Sequence, residues 1–278
     1  GAEGAYDYFK PLYDLARELD PQKRPCTMVS VQMGPKAPEI DCTKDLSDVF
    51  CLNRYYGWYS EEGMLIAGNT LNYPRIHGDA LASNGISFLS CGSEAVIDGV
   101  VDMSDYAVVD LILGVEKQGG DGSLLHYNAP YKTFPSALQE KLKTYCHSGG
   151  NLFVSGAFIA SDMQGCDEDR QFIRNLLRFD YGGTVSNIAD DVVAGSGLRL
   201  AVGREVNSGC YAVSRPDILV PLDEAFVPFV FDGCKESAGI AYDAGAYRVL
   251  STSFPFETVK NSVHRAELMG AVMRFLLK

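Results

Sequence analysis

From Met64 to the C-terminus, short apolar runs alternate with amphipathic stretches, and that order restricts the fold more than any other feature of the chain. Met64 to Ala67 is apolar and stops at Gly68–Asn69. A helix then opens at Asn72, Tyr73 and Pro74 and runs through Leu81, with proline near its start, where a missing N–H does no harm. Ile86 to Ser90 reads as the next strand. Tyr106 to Leu113 is apolar except for Asp110, as expected of a strand buried on both faces of a parallel sheet.

The alternation continues with a helix from Phe134 to His147, closed by Gly149–Gly150, and a strand from Asn151 to Ser155. A helix from Asp169 to Phe179, short strands and turns between Gly182 and Gly245, a strand from Tyr247 to Ser253 and a helix from Val263 to Leu277 complete the chain. This pattern predicts an α/β fold with a doubly wound, mostly parallel sheet and an antiparallel extension late in the chain. Residues 1–63 read differently. A helix from Tyr6 to Leu19 and a strand from Cys26 to Met33 precede an irregular stretch rich in Pro, Asp and Tyr. They are expected to pack on a main domain formed by residues 64–278.

Charge and composition exclude several classes of function. With 36 acidic against 24 basic residues the net charge is −12, which repels nucleic acid and anionic membrane surfaces. No apolar stretch reaches the ~20 residues that cross a bilayer. Eight scattered cysteines without a Cys-x-x-Cys pair, and only four histidines, argue against structural zinc and leave disulfides open. No cofactor motif is present: Gly119–Gly120–Asp121–Gly122–Ser123 lacks the Lys-Ser/Thr ending of a phosphate loop and reads as a loop over the crevice. Asp162, Asp167, Glu168 and Asp169 gather at a helix start, where negative charge suits the helix dipole; calcium-loop spacing is missing.

Doubly wound sheets bind ligands beyond the carboxyl ends of their strands. There the segments Ile66–Ala67–Gly68–Asn69–Thr70, Val109 to Gly114, Gly149 to Gly156 and Phe254–Pro255–Phe256–Glu257 together resemble a family of secreted Bacteroides proteins labelled xanthan lyases. The relevant domain of that family looks like the flavodoxin-like, class I glutamine amidotransferase fold, and the likeness runs from Met64 to the end of the chain. An authentic lyase of that name is an α-helical toroid with β-sandwiches, which this order of elements does not predict. The resemblance therefore implies an extracellular or periplasmic setting, a leader removed ahead of Gly1, and a place among further domains of a glycan- or cell-wall-processing protein.

A glutaminase of this fold needs a cysteine on the strand-to-helix elbow and a histidine to ionise it. Here the elbow is Val154–Ser155–Gly156–Ala157–Phe158, with the nucleophile position on Gly156 or Ala157. The resemblance sets the family's Phe-His-Pro-Glu stretch on Phe254 to Glu257, with Pro255 at the histidine. Loss of both groups removes glutamine hydrolysis, since either alone typically costs about four to six orders of magnitude. Two expectations follow. The first is binding of a glycan or other small ligand by Asn69, Tyr73, His77, Gly156 and Phe158, with the Tyr55–Tyr59 aromatics as a further sugar-stacking candidate. The second is a hydrolase or lyase that uses Ser155, or Glu116 and Glu257 as acid and base.

Overall fold

A computed structural model describes residues 4–23, 29–31, 46, 51–53, 73–118, 132–185, 191–202, 213 and 215–278. The chain divides into two compact units, 1–66 and 67–278. In the first, helix α1 (Ala5–Leu19) ends at Asp20, ahead of Pro21, and Arg17 donates to the carbonyl of Leu46 at 2.6 Å. Strands β1 (Val29–Val31) and β2 (Cys51–Asn53) pair in parallel.

The second unit is built on a seven-stranded sheet. Its parallel part consists of β3 (Val108–Gly114), β4 (Asn151–Gly156) and β11 (Arg248–Thr252), side by side in that order. The later strands β10 (Ser237–Asp243), β9 (Phe226–Phe231), β6 (Asp191–Ala194) and β7 (Arg199–Ala201) extend it antiparallel. A separate antiparallel pair joins β5 (Phe179–Thr184) to β8 (Asp217–Pro221). The expected α/β sheet with a late antiparallel extension is thus the observed one.

Both faces of β4 and β11 are buried, as their apolar runs require, while β3 is buried at Leu113 and Gly114 and half-buried from Val108 to Ile112. Leu152, Val154 and Val249 point into one core with Leu138, Leu142 and Cys146 of α4 (Ser136–His147), and with Phe172 at the end of α5 (Asp167–Phe172). Phe153 and Leu250 point the other way, against Ala80 and Leu81 of α2 (Tyr73–Ala82) and Leu268, Met269 and Val272 of α6 (Ser262–Leu276).

Three expectations are corrected or refined. Ile86 to Ser90 forms no strand; it is extended without ladder pairing, exposes Phe88 and Leu89, and is followed by the short helix α3 (Ser93–Ile97). The helix expected from Asp169 to Phe179 begins at Asp167 and closes with a π turn at Ile173–Leu177, so Phe179 opens β5 instead. The acidic group near residue 162 is more than a helix-dipole partner. Asp162 accepts hydrogen bonds from the amide of Gln118 (2.8 Å) and from the amide and hydroxyl of Thr133 (2.8 and 2.9 Å). Asp169 likewise takes Lys132 and Gln139. The strand expected at Met64 to Ala67, the aromatics at 55–59 and the glycine-rich loop at 119–123 lie outside the described residues.

Each bond to an ionised carboxylate contributes about 1.5–3 kcal/mol net. Asp162→Ala is therefore expected to speed hydrogen exchange at the Gln118 and Thr133 amides by roughly tenfold or more, with Leu152 and Val154 in β4 unchanged. Amide exchange followed by NMR reads both outcomes.

Candidate functional site

The carboxyl ends of β3 and β4 meet at two glycines, Gly114 and Gly156, which are register partners. Gly114 turns the chain with φ 52°, a left-handed value that favours glycine, and its carbonyl accepts the amide of Ala157 at 2.7 Å. At Gly156 the limit is space. A Cβ there would lie 2.8 Å from Cβ of Leu113 and 3.0 Å from Cγ2 of Ile159. Neither corner of the elbow is open, because Ala157 is also fully buried, in a small cluster with Phe158 and Val213 against which Tyr73 and Val115 pack. Phe158 is 2% exposed, with the Lys117 ammonium 5.0 Å from its ring centroid. It packs the strand ends instead of offering a face to a sugar.

Asp217 holds the elbow from beneath. Its amide donates to Ala157 O, and its Oδ2 accepts the amides of Ala160 (2.9 Å) and Ser161 (2.7 Å). Burial pushes this carboxyl up to about 6, against the pull of those amides and of Lys117. Its Oδ1 is buried without a hydrogen-bond partner.

Ser155 is enclosed in this structure. Its Oγ is buried and accepts the amide of Phe256 at 2.7 Å, tying β4 to the turn after β11. Pro255, at the position of the family's histidine, is buried as well, and its carbonyl accepts the amide and hydroxyl of Thr258.

His77 and Glu257, separated by 180 residues, are brought into contact. The ring is 2% exposed; Nδ1 donates to Oδ2 of Asp110 at 2.7 Å, and Nε2 faces Oε2 of Glu257 at 3.3 Å. Its partners are therefore carboxylates, where a packed helix histidine more often finds backbone groups. Glu116 and Glu257 have different neighbours: Glu257 is engaged by His77, whereas Glu116 lies among Glu94 and Asp162. Burial first, then those two carboxylates, push Glu116 up to about 8. Of the expected ligand residues, Asn69 lies outside the described residues, Tyr73 and Phe158 meet in the buried cluster, and Gly156 is a close-packing position.

Sequence reading missed Asp110, Asp217 and the clasp role of Asp162. Asp110 carried a signal, a charge inside an otherwise apolar strand; Asp217 carried none. Among the described residues no group of His, Cys, Asp and Glu is placed to hold a metal, and Cys91, Cys146, Cys166 and Cys234 are free thiols.

No family model matches the chain. Among curated proteins it is similar to a β-glucuronidase of Streptococcus agalactiae serotype V, 56% identical over 62 residues, which is 22% of this chain and 10% of that protein. A β-glucuronidase of Paenibacillus borealis is 44% identical over 61 residues, 22% of this chain and 9% of that one. The matched stretch thus spans about a tenth of either relative. Among solved structures, a β-galactosidase from Bacillus circulans sp. alkalophilus is 15% identical and aligns over 76% of this chain and 28% of its own, with TM-score 0.48. A cytoplasmic protein of Salmonella typhimurium aligns over 72% of this chain and 85% of its own, 12% identical, with TM-score 0.42. The curated relatives are glycosidases; they lend no support to the xanthan lyase label or to a Bacteroides origin.

Glu116 yields a prediction whose sign follows from linkage. Its value in the fold lies above the ordinary 4.5, so its contribution is greatest with the carboxyl protonated, below about pH 4.5, and declines as pH rises to about 8. Glu116→Gln should therefore leave stability unchanged near pH 4 and raise it by ~1–2 kcal/mol at pH 8–9, after discounting for partial solvent exposure. Urea denaturation at the two pH values measures this; equal effects at both would remove the assignment.

Proposed function

We propose that the chain is an amidotransferase-like domain, inactive as a glutaminase, within a larger carbohydrate-active protein, and that the Glu116 rim at its strand ends contacts a glycan. The observation that carries the first part is Gly156, where no side chain fits beside Leu113 and Ile159. The buried, hydrogen-bonded Ser155 and the buried Pro255 support it at the two neighbouring positions. The segment shared with two β-glucuronidases supports the carbohydrate setting. For the rim, the support is Glu116, a half-buried carboxyl kept among other acids at a cost to stability, which is a common mark of a functional position.

A carboxyl with a value near 8 is a proton donor at neutral pH, and this one observation also favours a second reading, acid catalysis on a glycan by Glu116. Ser155 drops out of that reading because its hydroxyl is enclosed.

Two measurements test the proposal. The chain should release no ammonia from glutamine, and Gly156→Cys combined with Pro255→His should not create the activity, because the cysteine Cβ has no room. Ligand-observed NMR with glucuronate- and galactose-terminated oligosaccharides should show binding that Glu116→Gln weakens about tenfold, the upper end expected for one lost hydrogen bond. Glutamine hydrolysis by the unmodified chain would sink the first part, and binding indifferent to Glu116→Gln the second. Glycan turnover abolished by that substitution would establish the acid reading instead.

A further inference from the structure

Helix α2 docks through a short apolar surface, Ala80 and Leu81 with the half-buried Ile76 packed against the same core. Its buried residues are His77, Gly78, Ala80 and Leu81, and only Leu81 has a large aliphatic side chain. The C-terminal end is held by Asn84, just past the helix, whose amide donates to Ala266 O of α6. Toward its N-terminal end lies the buried charge bridge. Three distant parts of the chain meet there: Asp110 from the middle of β3, His77 from α2, and Glu257 from the turn after β11. The side chains of His77 and Glu257 are 2% and 0% exposed, and that of Asp110 is 14% exposed. Phe256 stacks on the ring with centroids 4.5 Å apart and Phe153 lies beyond it, so the bridge sits among aromatic rings and not in solvent.

We propose that the His77 imidazolium, clamped between Asp110 and Glu257, is the latch that docks α2 on the sheet and thereby sets the position of Tyr73 at the strand ends. The inference is independent of glycan binding. An imidazolium donates from both nitrogens, one to each acid; a neutral ring donates from one and turns a lone pair toward the other. Loss of the ring proton thus removes the positive charge that faces both acids, and breaking a buried ion pair in this way is strongly destabilising. Tyr73 lies one turn ahead of His77 on the same helix face, and it packs on the Ala157–Phe158–Val213 cluster, so movement of α2 uncovers that cluster.

Among the described residues, the charged groups that face the ring are Asp110 and Glu257. Arg75 pairs outward with Asp79 on the exposed side of α2, and Arg265 of α6 is bound to the carbonyls of Val259 and Lys260. Burial alone would lower the imidazole, but the two carboxylates outweigh it and push it up to about 10. A value raised from the ordinary 6.5 means that the stabilisation is complete below about pH 6.5 and disappears as pH rises through about 10. The latch is closed at neutral pH.

Nitrogen NMR of the ring and residue-resolved hydrogen exchange test the latch on the full chain. At pH 8 both ring nitrogens of His77 should carry protons. In His77→Gln, amides of residues 73–82 should exchange roughly tenfold faster than in the parent, beyond any change in β4 and β11. Adding Asp110→Asn, which removes the charge left facing the ring from β3, should recover most of that protection. Should His77→Gln fail to fold, Asp110→Asn alone should give a smaller rise confined to α2. A neutral ring at pH 8, unchanged exchange in α2, or a rise spread evenly over α2, β4 and β11 would each overturn the proposal.

Discussion

A carboxylate in the middle of a buried parallel strand must be neutralised, and the way Asp110 is neutralised organises this unit. Its neighbours along β3 are apolar, its partner residue in β4 is Phe153, and only 14% of its side chain is exposed, so water solvates it poorly. The counter-charge has to come from the crossover helix, and His77 supplies it. A single imidazolium then has two acids to serve, because the turn after β11 turns Glu257 inward to the same ring. The orientation of α2, the path of the chain beyond Phe254 and the closure of the strand ends all follow from this meeting.

The same economy sets the strand ends apart from the arrangement expected of a glutaminase. There the late Phe-His-Pro-Glu stretch supplies the histidine that ionises the elbow cysteine. Here the glutamate has a different imidazole, from α2, and the late position is a proline whose carbonyl caps a short turn. The elbow backbone keeps its sharp course, held by Gly114 O above and Asp217 below, but the side-chain space has been filled by Leu113, Ile159 and Phe158. What persists is the geometry of a site with its interior packed.

The sheet was legible because burial on two faces leaves a simple signature: β3, β4 and β11 are each a run of apolar residues bounded by turn residues. Helices α2, α4 and α6 were legible for the complementary reason, a proline, serine or asparagine start and apolar spacing thereafter. Ile86 to Ser90 misled because an alternating apolar segment looks the same whether or not it finds a ladder partner. The candidate site was read less well. Glu116, His77 and Glu257 stood out in the sequence, yet the two acids that meet His77 lie 33 and 180 positions away, and no local pattern encodes that distance. Asp217 is the extreme case: a single aspartate in a turn-rich region, recognisable only once the amides of Ala160 and Ser161 are seen to converge on it.

The clasp at Asp162 has a consequence for how this fold can vary. One carboxylate gathers Gln118 and Thr133, so the two ends of the intervening span are brought together by contacts outside it. The entropy of closing such a span grows only with the logarithm of its length, about 0.6 kcal/mol for each doubling. Residues can therefore be added or exchanged between those anchors while β3 and α4 stay where they are. A change of length there requires no redesign of the scaffold beneath.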